Sequence, residues 1–434
     1  MTPIGSTAGP LTAAKREVLI SGASIAGPAL AYWLRRSGFA VTVVEKADAL
    51  RDGGYPVDIR GTATEAVRRM GILPRLRDAH IDSRRMTFLD ADGGTFASVA
   101  PSAVVGGVEG QDLEVRRGDL TAALYGLVRD DVEFLFGDSI DTLDQDGHGV
   151  DVTFRGGRQR TFDLVVGADG MHSQTRRSVF GPEERFHRYL GYCFAIFTMP
   201  NTFGLSREAI LWNAPGKAAA LYAVGDAGEN GDELHAFLNF HRSKTPPIEA
   251  LRDPDAQRDL FAEGFAGAGW EVPGMVDAMR VADDAFFDTA GQIRMPHWSK
   301  GRVALVGDAA YAPSFLTGQG TSLALVGAYM LANSLAAHRD RHDAEGHIGK
   351  AFAAYERGMR EFVAVNQALV DDGAAGLFPT TQEALERRNA RLRGLVTMPS
   401  APVRPAYTAL ALPEPVPPPR RFTPTPTPGP SGRR

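Results

Sequence analysis

Cysteine is almost missing from this 434-residue chain, which has only Cys193. A single thiol excludes an intramolecular disulfide and any zinc site built on several cysteines, and it suits a reducing compartment, so a cytoplasmic location is expected. Long apolar runs are missing too. No stretch approaches ~18 uninterrupted apolar residues, so neither a spanning helix nor a membrane partner is expected. Residues 1–14 contain Thr, Ser, Gly and Pro but no basic start followed by an apolar run, which argues against a signal peptide. A basic surplus is also absent: 47 Lys and Arg face 52 Asp and Glu, so nucleic acid is not an expected partner. No metal-ligand cluster and no Ser-His-Asp arrangement stands out. His172 and His297 have no evident spaced partners and read as structural or surface residues.

What is present has the balance of a globular protein, with 44% apolar and 23% charged residues in a chain long enough to need two or more lobes. Residues 17–21 form a short apolar run that stops at Gly22. Residues 25–36 carry apolar side chains at helical spacing before Gly38, and 41–45 read as a second strand. This βαβ opening predicts a parallel, doubly wound sheet. Further along, 114–128 reads as a helix. Residues 132–136 and 150–154 read as hairpin-like strands, and 162–166 as a buried strand. The runs 192–199, 209–213, 218–224 and 235–241 predict an antiparallel sheet inserted as a separate lobe, followed by a helix over 248–265. Residues 302–307 return to the parallel pattern, and two long helices are predicted over 322–338 and 344–367. From Pro399 onward, 12 of the 28 prolines fall in 36 residues, so 399–434 is expected to be a disordered tail whose deletion leaves turnover nearly intact.

Three separated segments suggest one nucleotide site. Gly22-Ala-Ser-Ile-Ala-Gly27 turns a strand sharply into a helix whose first amides and positive dipole end suit a pyrophosphate. Ser24 replaces the usual middle glycine, and Ile25 and Ala26 complete the turn. Glu45, 18 residues past Gly27, is placed to accept ribose hydroxyls and would repel a 2′-phosphate. Lys46 points to the opposite face, as a charge on the rim of the same site or a solvated surface lysine. The second segment is Asp169-Gly-Met-His-Ser-Gln-Thr-Arg176, and the third runs from Gly307-Asp308-Ala-Ala to Gly318-Gln-Gly320-Thr321.

Together these segments resemble the group A flavoprotein monooxygenases, the para-hydroxybenzoate-hydroxylase-like enzymes. The D-G-x-x-S-x-x-R spacing falls on Asp169, Gly170, Ser173 and Arg176. Gly307-Asp308 is similar to the second flavin motif, and Arg117-Gly-Asp-Leu120-Thr-Ala-Ala-Leu124 to an R-x-x-L-x-x-x-L element. The resemblance implies a Rossmann-like FAD-binding domain with an inserted antiparallel-sheet substrate domain and C-terminal helices, an α/β fold. It assigns residues 1–75, 105–185 and 280–345 to the FAD lobe, 76–104 and 186–279 to the substrate lobe, 346–398 to a C-terminal helical segment and 399–434 to the tail. It also implies that the motif from Asp169 to Arg176 touches FAD and the nicotinamide route, braced by Ser173 and Arg176, that Asp308 binds the ribityl chain, that Gly318, Gly320 and Thr321 face the flavin pyrimidine, and that Arg117 lies near the flavin or its phosphates. FAD, NADPH or NADH as reductant and O2 as co-substrate follow, with oxygen delivered through a flavin C4a-hydroperoxide. The sequence departs from the family where histidine and paired prolines are usual: here Tyr311-Ala-Pro-Ser-Phe stands, with Pro313 alone. The run Gly53-Gly-Tyr-Pro-Val-Asp-Ile-Arg60 and the lack of a thioredoxin-like C-terminal domain resemble the shorter branch that includes tetracycline-inactivating monooxygenases.

The implied substrate is an aromatic or polyketide-like small molecule. Candidates for its surface are Arg60, Trp212, Tyr222, Phe237, Phe315 and Leu316. Baeyer–Villiger insertion, epoxidation or another flavin oxidoreductase reaction is open on the same scaffold. A halogenase is disfavoured because Trp212, Trp270 and Trp298 stand isolated, without a W-x-W-x-I-P signature. A non-enzymatic nucleotide sensor would leave the second and third segments without purpose. No catalytic side chain is singled out, and no feature marks an oligomeric state.

Overall fold

The computed structural model describes residues 15–50, 54–105, 111–225, 233–339, 344–395 and 404–417. Residues 1–14, Gly53, 399–403 and 418–434, on each of which a sequence expectation falls, lie outside the described residues.

The first sheet has six strands in the order Ser299–Lys300, Val303–Leu305, Leu164–Gly167, Glu17–Ser21, Ala40–Glu45 and Glu133–Phe136. Every neighbouring pair is parallel except the first. Val18, Leu19 and Ile20 are buried in succession, as a strand covered on both faces requires. Register aligns the strand ends. Ser21 lies opposite Gly167, and Gly167 opposite Leu305, so three strands end at one level. Helix Ala26–Arg36 covers one face and packs on the long helix Gly320–Ala337. That long helix is apolar enough by length and composition to cross a membrane, but 78% of it is buried inside the fold. Its apolarity is explained by its central position.

The second sheet has seven strands in the order Phe286–Ile293, His187–Pro200, Glu233–His241, Lys217–Tyr222, Glu208–Ala214, Arg85–Leu89 and Thr95–Val99. Alternation gives it two different faces. One buries Cys193, Phe197, Trp212, Leu221 and Phe240 under helices Pro254–Gly264 and Val272–Val281. The other presents Tyr192, Leu211, Phe237 and Ala290 toward Leu316 and Phe378. Phe286–Ile293, which falls in 280–345 and so was expected with the FAD lobe, is instead the edge strand of this sheet. Its register with His187–Pro200 holds it there.

Local structure differs from the sequence expectation in four places. Leu113–Arg116 is a strand, paired with Pro56–Ile59 in a two-stranded ribbon, and the helix expected from 114 begins only at Arg117. Glu133–Phe136 joins Ala40–Glu45 in parallel, while Val150–Phe154 pairs with Ile140–Gln145 and Gln159–Phe162. The helix expected over 248–265 breaks into Ile248–Arg252 and Pro254–Gly264. Pro254 cannot continue the first helix, and the Asp253 side chain accepts from the Asp255 amide to start the second. Finally, residues 404–417 are not a free tail. Tyr407 and Leu412 are buried, the Tyr329 hydroxyl donates to the Pro413 carbonyl at 2.6 Å, and the Val416 amide donates to Asn333 Oδ1 at 2.9 Å. Proline-rich chain can dock in this way because its carbonyls still accept and its rings lose little entropy.

Candidate active site

The three aligned strand ends bring the three sequence segments into one triangle. Gly22 has φ +108°, and a Cβ there would stand 2.5 Å from the Ala168 carbonyl oxygen, so the first turn rests on the second. A Cβ on Gly307 would stand 3.1 Å from Ala26 Cβ, so the third rests on the first helix. Arg176, fully buried, donates to the Ala309 carbonyl at 3.0 Å and so ties the second segment to the third. Its other bonds, to Met171 O at 2.7 Å and Glu183 at 2.6 Å, offset the cost of burying a guanidinium.

Backbone groups around this triangle fit a nucleotide. Helix Ala26–Arg36 has no side-chain cap and no acidic residue in its first turn, so its leading amides carry an uncompensated positive end. A Cβ on Gly27 would run into the Gly22 carbonyl oxygen, so only glycine permits this tight approach. Ser24 and Ile25 are half-buried at the turn. The Glu45 carboxylate accepts from the amides of Ala23 at 2.8 Å and Ala47 at 3.0 Å, which fixes it beside the turn. Lys46 is exposed on the rim. Gly318 adopts φ +65° just before helix Gly320–Ala337, which likewise starts without a side-chain cap. Thr321 is buried in its first turn, and the fully buried Gln319 leaves its Oε1 unpartnered.

Charged groups sharpen the fit. Asp308 accepts no hydrogen bond among the described residues, and its carboxylate lies beside the Gly320 backbone. Burial, with the Asp288 charge behind it, raises its carboxyl to about 6. A carboxylate held in a cleft without donors suits ligand hydroxyls. The Arg117 Nε is likewise buried without a partner. The Asp169 side chain is held within its own loop. Its Oδ1 accepts from Ser173 at 2.5 Å, and its Oδ2 accepts from the Thr175 amide and hydroxyl, each at 2.9 Å. The side chain braces its own loop, and what the loop offers outward is the open backbone at Gly170.

The candidate substrate residues divide. Phe237 and Tyr222 lie on the sheet face toward the triangle, paired across strands with Ala220 and His235. Phe237 meets Phe315 at a ring distance of 5.6 Å, and Phe315 meets Phe194 at 4.5 Å, so the aromatics form a roof beside the Gly318 turn. Phe315 keeps 36% exposure. Trp212 does not belong here. Strand alternation puts it on the far face, 1% exposed, with its indole N–H on the Ala91 carbonyl. Leu316 is packed against Val370 and Phe378 rather than open. Arg60 is not an open anion-binding group: it is 7% exposed, bonded to Asp58 at 2.7 Å and stacked near Tyr407.

Sequence reasoning missed several residues. Tyr55 is 39% exposed, close to the charges of Arg117, Asp308 and Asp288. His172, read as structural or surface, bridges Glu183 at 2.9 Å and Asp288 at 3.4 Å, linking the Asp169 loop to the edge of the seven-stranded sheet. Hydrogen bonds to those two carboxylates raise its imidazole to about 10. Glu114 and Ser83 form a half-buried polar contact with Tyr222. The alternation Leu113-Glu114-Val115-Arg116 was the available signal for that strand.

Several known proteins are similar to this chain. The FAD binding domain family matches residues 15–200. An uncharacterized protein of Mycobacterium tuberculosis (strain ATCC 25618 / H37Rv) is 43% identical over 373 residues, covering 86% of this chain and 97% of its own. A flavin-dependent monooxygenase of Legionella longbeachae is 36% identical over 351 residues, covering 81% and 87%. The crystal structure of tetracycline destructase Tet(55) superposes with a TM-score of 0.77 at 35% identity, covering 92% of this chain and 99% of that one.

Proposed function

The chain belongs to the FAD-dependent monooxygenases, in the branch that contains the tetracycline destructases, and from that premise we propose that it uses NADPH or NADH and O2 to hydroxylate an aromatic or polyketide-like small molecule. The observation that carries this reading is the aromatic roof of Phe194, Phe237 and Phe315 beside the Gly318 turn. Bound FAD supplies the storage of electrons and the activation of oxygen.

The side chains have supporting tasks. The amides at Gly22–Gly27 and the helix behind them hold the pyrophosphate, Glu45 takes the adenosine ribose, and Asp308 takes a flavin-chain hydroxyl. Arg117 balances phosphate charge, and the start of helix Gly320–Ala337 donates to the pyrimidine edge. Phe237 and Phe315 place a flat substrate and exclude water from the reacting face. Tetracycline is a reasonable first compound, since a structural neighbour that covers 92% of this chain is named for destroying it. The test is NADPH or NADH oxidation by the FAD-loaded protein against a panel of phenolic and polyketide compounds. Several-fold stimulation by one class, with a modified product, supports the reading. A protein that takes up no flavin contradicts it.

A further inference from the structure

Taking the cleft as the substrate cavity of this oxygenase, we propose that Ser83, Glu114 and Tyr222 form a polar subsite that selects a neutral hydroxyl or carbonyl edge of the substrate and rejects a carboxylate. Three elements converge to build it. Glu114 projects from the polar face of the ribbon, opposite Asp58, because Val57, Ile59, Leu113 and Val115 turn to the core. Tyr222 comes from the roof strand on the face that also carries Phe237. Ser83 sits between them, donating to Glu114 Oε2 at 3.1 Å and sharing a hydrogen bond with the Tyr222 hydroxyl. Asp58, opposite Glu114 in the ribbon, connects this group to the Gly318 turn, since a Cβ on Gly318 would stand 3.2 Å from Asp58 Oδ2.

The groups around it determine what it accepts. Asp58 on the adjacent strand and Arg60 just past its end act on Glu114 and are bonded to each other. Arg116, two residues along the same strand, acts on His235 of the roof, and the His80 ring meets the Glu114 backbone. Burial, and then the Asp58 charge, outweighs the hydrogen bonds from Tyr222 and Ser83 and the Arg60 charge, and raises the Glu114 carboxyl to about 7. A visiting carboxylate meets the same burial and the same neighbouring charges. A neutral hydroxyl instead finds acceptor oxygens in Tyr222, Ser83 and Glu114, and a carbonyl finds a donor in Glu114 while that carboxyl keeps its proton. Rejection should strengthen as pH rises through about 7, when Glu114 itself becomes an anion.

The test uses 2-naphthol and 2-naphthoate, which share a bicyclic body and differ in one polar group. Binding to the FAD-loaded protein is measured by equilibrium dialysis at about pH 6 and about pH 8, for the native chain, Glu114→Gln and Ser83→Ala. The expected result is a preference for naphthol of at least about tenfold that grows with pH. Glu114→Gln should lose the pH dependence, and Ser83→Ala should weaken naphthol binding without creating naphthoate binding. Retained flavin absorbance shows that each variant is folded. Equal affinities, tighter naphthoate binding, no binding of either probe, or an unchanged pH dependence in Glu114→Gln overturns the subsite. If flavin uptake and nicotinamide oxidation persist in that case, the oxygenase reading stands without it; if they are absent from the native chain, that reading fails on its own.

Discussion

Replacing Asp308 should move cofactor affinity and protein stability in opposite directions. Its carboxylate has no donor among the described residues, and burial with the Asp288 charge raises it to about 6 from an ordinary value of 3.8. A carboxyl raised by folding stabilises nothing when ionised: the unfolded chain releases its proton first, so stability falls as pH rises from about 4 to about 6 and stays reduced above. The shift corresponds to an upper bound of about 3 kcal/mol. Asp308→Asn removes that penalty, so the flavin-free variant should melt above the flavin-free native protein at about pH 8, with the gap shrinking toward about pH 5. In the loaded protein the charge has a use. A hydrogen bond from a ligand hydroxyl to a carboxylate is worth about 1.5–3 kcal/mol, so Asp308→Ala should weaken FAD binding by roughly ten- to a hundredfold. The assay pairs thermal unfolding with and without FAD at the two pH values with a fluorescence titration of FAD. Unchanged FAD affinity, or a flavin-free Asp308→Asn that melts below the native protein at about pH 8, would refute the reasoning.

Three further outcomes rest on named contacts. Gly27→Ala should abolish or severely reduce FAD retention, read from the flavin absorbance of purified protein, because the added methyl runs into the Gly22 carbonyl oxygen. Truncation before Arg404 should lower the melting temperature and soluble yield, contrary to the expectation for a free tail, because it uncovers the surfaces that bury Tyr407 and Leu412. His172→Asn should destabilise most below about pH 6.5. A raised imidazole contributes fully below its unfolded value and is lost as pH climbs to about 10, so native and variant melting curves should converge over that range.

The parallel core and the cofactor turns were legible because their signals are local. Gly22, Gly27 and the apolar run before them specify a strand, a turn and a helix within twenty or so residues. What joins the segments was not local. Arg176 reaching Ala309, and His172 reaching Asp288, depend on strand register, which no single stretch encodes. Trp212 was misplaced for a related reason: an aromatic in an alternating strand can face either side, and the helices covering the far face lie some fifty residues downstream. Glu114 was absorbed into a helix because its short strand runs directly into one at Arg117. Residues 404–417 were misjudged because composition counts prolines but does not reveal the Tyr329 and Asn333 side chains that hold this stretch.

The central claim is that this site uses flavin to place one oxygen atom from O2 into an aromatic or polyketide-like compound. The direct measurement is turnover of the responding compound under 18O2, with product analysed by mass spectrometry. The account predicts one heavy oxygen per product molecule, matched by one equivalent of NADPH or NADH consumed. Product free of label, or with its new oxygen drawn from water, would contradict it.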